Sequence, residues 1–123
     1  MIRPTVDLAI AINREVREAD EWFDEPDDLE RLEVALESVG GIEDPIEAAA
    51  VVAYRVTRTQ AFGEGNKRTA LLLARWTLDR NGLDGSAVLP PADSDVGPLL
   101  VRAASGNDVH EELIALFRRR SRG

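Results

Sequence analysis

A chain of 123 residues is enough for one buried core and not two, so a single domain over residues 1–123 is expected. Its 44% apolar content is that of an ordinary globular protein, and the lack of cysteine excludes disulfides and thiolate metal sites. A net charge of −8 argues against a direct nucleic-acid partner, because phosphate backbones need a basic footprint.

The charge is uneven along the chain. Residues 1–60 hold 15 acids against 6 arginines, a balance of −9, whereas residues 61–123 come to +1. The acidic first half reads as a solvated surface. No apolar stretch has the length of a signal-peptide core or a membrane span, so no membrane association and a cytoplasmic location are expected.

From Thr5, a capping residue, the apolar positions Val6, Ile10, Ile12, Val16 and Ala19 keep helical spacing and predict a helix over 5–20. Trp22 and Phe23 follow and are expected to pack into the core. The acidic turn Asp24-Glu25-Pro26-Asp27-Asp28 opens a second helix, with an apolar stripe of Leu29, Leu32, Val34, Leu36 and Val39. Gly40-Gly41 is expected to end it as a left-handed cap.

Asp44-Pro45-Ile46-Glu47 is a strong helix start, with a capping aspartate, proline at the first helical position and a glutamate three residues after the cap. The run Ala48 to Val56 is apolar nearly all round, which predicts a central helix packed on more than one side. Arg55 and Arg58 share a face, and either a surface role or a place at the edge of a site is open to them. The helix delivers Gln60 at its end.

Gln60-Ala61-Phe62-Gly63-Glu64-Gly65-Asn66-Lys67-Arg68-Thr69 is the most unusual stretch. Two glycines two residues apart break regular structure, and a leucine-rich helix over 66–81 follows. Asn66, Lys67 and Arg68 thus fall in its first turn, where unpaired N–H groups and a positive dipole end attract anions such as phosphate. Lys67, the chain's sole lysine, and Arg68 run against that dipole, a misfit that an anion would resolve. Gly63, Gly65, Asn66, Lys67, Arg68 and Thr69 are therefore candidate phosphate-binding residues, and Glu64 supplies a carboxylate through which Mg²⁺ could bridge protein and nucleotide. Asn66 could reach phosphate or bond the loop to itself. Phe62 is expected to insert into the core as an anchor. The stretch is neither a Walker loop, since the Gly-x4-Gly-Lys spacing and a preceding strand are missing, nor a dinucleotide fingerprint.

Beyond Gly82, residues 83–91 read as a loop with Ala87 to Leu89 extended. Asp93 or Ser94 caps a helix through Leu99, Leu100, Val101 and Ala103 that Gly106 ends, and Asn107 caps a last helix over 109–119. His110, the one histidine, is expected to have a surface or capping role. The fold class is all-α, a compact bundle of about six helices.

The stretch from Gln60 to Arg68 resembles the signature of the Fic/Doc family, the filamentation-induced-by-cAMP and death-on-curing proteins, which reads His-x-Phe-x-Asp/Glu-Gly-Asn-Gly/Lys-Arg. Phe62, Glu64, Gly65, Asn66 and Arg68 match, and Lys67 with Thr69 is similar to the death-on-curing branch. Gln60 stands where the family carries its catalytic histidine. The likeness extends over residues 5–120 in helix order and is specific mainly between 60 and 82. It implies a small all-helical fold that transfers part of ATP, with Mg²⁺, onto a protein hydroxyl. The death-on-curing branch implies a toxin that moves the γ-phosphate to elongation factor Tu, with Lys67 and Arg68 in catalytic roles. AMP transfer by the same machinery, or a nucleotide- or partner-binding protein that does not react, are the alternatives.

A glutamine amide does not titrate near neutral pH and cannot take a proton, so activity is expected to be lost or weakened. Gln60 is either a deliberate substitution that allows a toxic protein to be produced or a natural feature. The inhibitory-helix pattern of many Fic proteins, Ser/Thr-x-x-x-Glu-Gly/Asn, occurs nowhere in the chain. Restraint is therefore expected from a separate antitoxin that lays a helix in a groove.

Overall fold

The structure, a computed structural model, describes residues 1–17, 28–90 and 95–122. Those residues form seven helices and no strand: α1 (Val6–Val16), α2 (Leu29–Glu37), α3 (Pro45–Thr59), α4 (Asn66–Arg80), α5 (Gly85–Val88), α6 (Val96–Ala104) and α7 (His110–Ser121). The all-α expectation holds. None of these helices is long and apolar enough to cross a membrane.

Helix α3 organises the rest because its middle, Ala48 to Ala53, is an unbroken run of alanine and valine. Ala49, Ala50, Ala53 and Tyr54 face one buried cluster with Leu100, Leu113 and Phe117 of α6 and α7. Ala48, Val52 and Val56 face a second, with Ala9, Leu32 and Phe62. Helix α4 lies along α3 and feeds both clusters, through Ala74 and Leu78 on one side and Ala70 and Leu73 on the other. Alanines let the two backbones approach closely, so the loop between α3 and α4 is held at a rigid corner.

Several boundaries differ from expectation for local reasons. Helix α1 stops at Val16, and Arg17 is already extended (φ −74°, ψ 134°). Ala19, Trp22, Phe23, the turn up to Asp27, and Asp93 and Ser94 lie outside the described residues. The buried stripe of α2 is Leu32, Ala35 and, beyond the helix, Val39, with Leu36 partly covered, while Leu29 and Val34 are 47% and 62% exposed. A 3.6-residue period puts Ala35 on the buried face and turns Val34 away from it. Neither Gly40 nor Gly41 is left-handed. The helix unwinds instead through three-residue turns, with Val39 N bonded to Leu36 O and Gly40 N to Glu37 O.

The stretch expected to be extended at 87–89 coils into α5, because Asp84 Oδ1 accepts from the N–H groups of both Ser86 and Ala87. Asn107 does not cap α7. Its amide and its backbone N–H both bond Arg102 O and so close α6, while Asp108 Oδ1 accepts the His110 N–H. Thr5 and Asp44 cap α1 and α3 as their sequence implies.

Candidate functional site

Helix α3 ends by turning left-handed at Gln60 (φ 49°, ψ 46°), which among the described residues is the sole non-glycine with positive φ. That turn sends the chain back across the end of α3. The Gln60 amide is held only by a long hydrogen bond, 3.4 Å from Nε2 to Ala104 O at the end of α6. The next residue, Ala61, accepts at 2.7 Å from Asp28 N, which ties the loop to α2. Phe62 is buried against Val56, Ala70 and Leu73.

The loop is then closed by two asparagines. Asn66 folds its side chain back on Phe62, accepting from Phe62 N at 3.1 Å and donating to Phe62 O at 2.8 Å. Buried Asn13 of α1 donates to Glu64 O at 2.8 Å and to Thr69 Oγ1 at 3.1 Å. Gly65, with φ of 78°, sits against α1 so closely that a Cβ there would come 3.1 Å from Val16 Cγ2 and 3.2 Å from Asn13 Nδ2. Only glycine meets both demands.

These constraints leave the first turn of α4 open. No side chain among the described residues caps it, and it holds no acid. Lys67 and Arg68 are exposed and form no ion pair with any described residue. A cavity of about 220 Å³ lies between this turn and the ends of α3 and α6, lined by Thr57, Gln60, Gly63, Glu64, Gly65, Asn66, Lys67 and Ala104. Sites that enclose a drug-sized ligand run to roughly 300–1,000 Å³, so this cavity has room for only part of such a molecule. A depression of about 570 Å³ between α6 and α7 shares no residue with it. Convergence of polar groups, not size, marks the site.

The structure thus brings together Gln60, Gly63, Glu64, Gly65, Asn66 and Lys67. Arg68 faces a neighbouring depression with Leu71, Leu72 and Arg75. Thr69 is fully buried and spends its hydroxyl on Asn13. Arg58 donates to Tyr54 OH and to Gly106 O, both at 3.0 Å, and Arg55 lies over the Tyr54 ring, so neither lines the cavity. His110 packs on Tyr54 at 5.7 Å and bonds Asp108 through Nδ1. Both the ring and the backbone N–H of His110 hold the Asp108 carboxyl below its ordinary range.

Sequence reading missed two residues here, Asn13 and Thr57. Each was visible as a polar residue on a face otherwise apolar, Asn13 one turn after Ala9 and Thr57 in the alanine-valine wall of α3.

The fold is all-helical and sets the cationic start of α4 beside the end of the central helix α3. The Fic/DOC family model matches residues 4–78, more than half of the chain, and the protein belongs to that family. The match runs from the approach to α1 through most of α4 and so includes the whole cavity loop. Members of the family transfer nucleotide-derived groups to proteins. A comparison with the curated proteins finds no match.

Proposed function

We propose that this protein holds the polyphosphate of ATP in the cavity between α3 and α4 and is a toxin of the death-on-curing type. Its reaction would move the γ-phosphate to a hydroxyl of a translation factor, elongation factor Tu. The observation that supports this reading is the cavity itself, where Gln60 and the Gly63–Lys67 loop face one space of about 220 Å³.

Lys67 supplies a compact charge at the phosphates, and the Arg68 fork lies one residue further along the same turn. Lysine at position 67, where AMP-transferring relatives usually carry glycine, favours phosphate transfer. Glu64 is the one carboxylate among the described residues that lines the cavity. No group of three or more His, Cys, Asp or Glu among the described residues could hold a metal by protein ligands alone. A lone carboxylate fits Mg²⁺, which commonly keeps its waters and takes remaining ligands from substrate phosphates. When bound, the ion neutralises charge on those phosphates.

Transfer breaks the bond between the γ-phosphorus and its bridging oxygen, releases ADP, and forms a bond to the acceptor oxygen, whose proton must leave. Gln60 cannot take that proton, and loss of a general base costs about 10²–10⁴ in rate. Binding and positioning remain intact. Restraint of the active form falls to a separate antitoxin whose helix lies in a groove of the bundle.

The test is Gln60→His. That variant is expected to stop cell growth and to add one phosphate to its target, read by mass spectrometry. A gain of one AMP instead would make it an AMP-transferring enzyme. Failure of Gln60→His to react while ATP still binds would make it a nucleotide-binding protein without chemistry.

A further inference from the structure

Thr57 stands out among the buried polar residues. Threonines inside helices normally return the hydroxyl to a carbonyl one turn back. Thr77 does so, with Oγ1 2.8 Å from Leu73 O, and Thr69 Oγ1 accepts from Asn13. Thr57 is fully buried near the C-terminal end of α3, just after the apolar run, yet its Oγ1 has no hydrogen-bond partner among the described residues. An unmade bond at a buried hydroxyl is costly, and such groups are rare in folded chains.

The position explains what the residue could be kept for. Thr57 lies one turn before Gln60, and both line the 220 Å³ cavity, with Lys67 and the opening of α4 also on its wall. Every other polar side chain there that carries a hydrogen and is not already committed is a donor: the Gln60 amide, held by one long bond, and the Lys67 ammonium. Asn66 is committed to Phe62, and Glu64 is a carboxylate, which the reading above assigns to Mg²⁺. A hydroxyl added to such a set completes a site for an anionic oxygen.

We infer that Thr57 is a ligand-binding residue: its hydroxyl donates a hydrogen bond to a non-bridging phosphate oxygen of the bound nucleotide, from the α3 side and opposite Lys67. This rests on the nucleotide reading above. It adds a contact outside the glycine loop, at a residue that the loop motif does not contain.

The experiment is calorimetric titration of Mg²⁺-ATP, and of inorganic triphosphate as a probe of the phosphate contact alone, into the full chain and into Thr57→Val, Thr57→Ala and Thr57→Ser. Valine keeps the shape and removes the donor; alanine is the second hydroxyl-free variant should valine fold poorly. Expected is a loss of about tenfold in affinity for both ligands with valine and alanine, the size of one hydrogen bond to a charged group, with serine close to the native protein. Thr57→Val should also melt no lower than the native protein without ligand, since no bond is lost. Native-like affinity in Thr57→Val or Thr57→Ala overturns the inference while leaving the nucleotide site standing. A native protein that binds neither ligand overturns the site and the inference together.

Discussion

Asn13 and Glu64 are 51 residues apart in sequence and 2.8 Å apart in space, joined by the buried amide of one and the backbone carbonyl of the other. The same amide reaches Thr69 Oγ1 at 3.1 Å, so one side chain of α1 fixes both the loop and the first turn of α4. Asn13→Ala should destabilise the fold by about 1–3 kcal/mol, because it strands the buried Thr69 hydroxyl and the part-buried Glu64 carbonyl. Urea unfolding measures it. The loop should loosen as well, so nucleotide affinity should fall without any phosphate contact having been removed.

The two loop glycines should behave differently. Gly65→Ala places a Cβ 3.1 Å from Val16 Cγ2 in a backbone with φ of 78°, and should cost about 1–3 kcal/mol. At Gly63 a Cβ would meet nothing within 4 Å, and φ there is not positive, so Gly63→Ala should leave stability within about 0.5 kcal/mol. Thermal melts of the pair separate a steric need for glycine from a merely flexible loop.

Lys67→Ala should bind nucleotide poorly and yet be as stable as the native protein or slightly more so. Lys67 has no partner among the described residues, and a cation in the first turn of a helix opposes its dipole by about 0.3–1 kcal/mol. A drop in melting temperature would show instead that its charge serves the fold.

Beside the C-terminal part of α3, Asp108 accepts from both the ring and the backbone N–H of His110, which lowers its carboxyl from the ordinary 3.8. A depressed carboxylate contributes stability that is present above the unfolded value and lost as pH falls through the folded one. Asp108→Asn should therefore narrow the gap in urea midpoint between pH 6 and pH 3. An NMR titration of the Asp108 carboxyl should give a midpoint below 3.8.

Much of the fold is legible in the sequence where one residue carries a decisive local preference. Asp44-Pro45 starts α3 where its capping chemistry requires, and the apolar run after it packs on two sides. The loop is legible for the same reason, because Gly65 and Asn66 answer steric and hydrogen-bond needs that few residues meet. Elements decided by competition between weak signals are not. Asp84 outcompetes the β-leaning Val88 and coils 85–88 into helix, and the period of α2 passes over Val34 in favour of Ala35. The site residues that escaped notice, Asn13 and Thr57, depend on which partner a buried polar atom finds, and that is settled only when distant helices meet.

The left-handed turn at Gln60 bears on the central claim, since histidine is enriched in that conformation relative to most residues and Gln60→His should fit without loss of stability. The most direct measurement is a calorimetric titration of Mg²⁺-ATP into the native chain beside Lys67→Ala. Saturable binding by the native protein that is lost or much weakened in Lys67→Ala is the predicted result. A native protein that takes up no ATP, or a variant that binds it equally well, would contradict a phosphate site at the opening of α4.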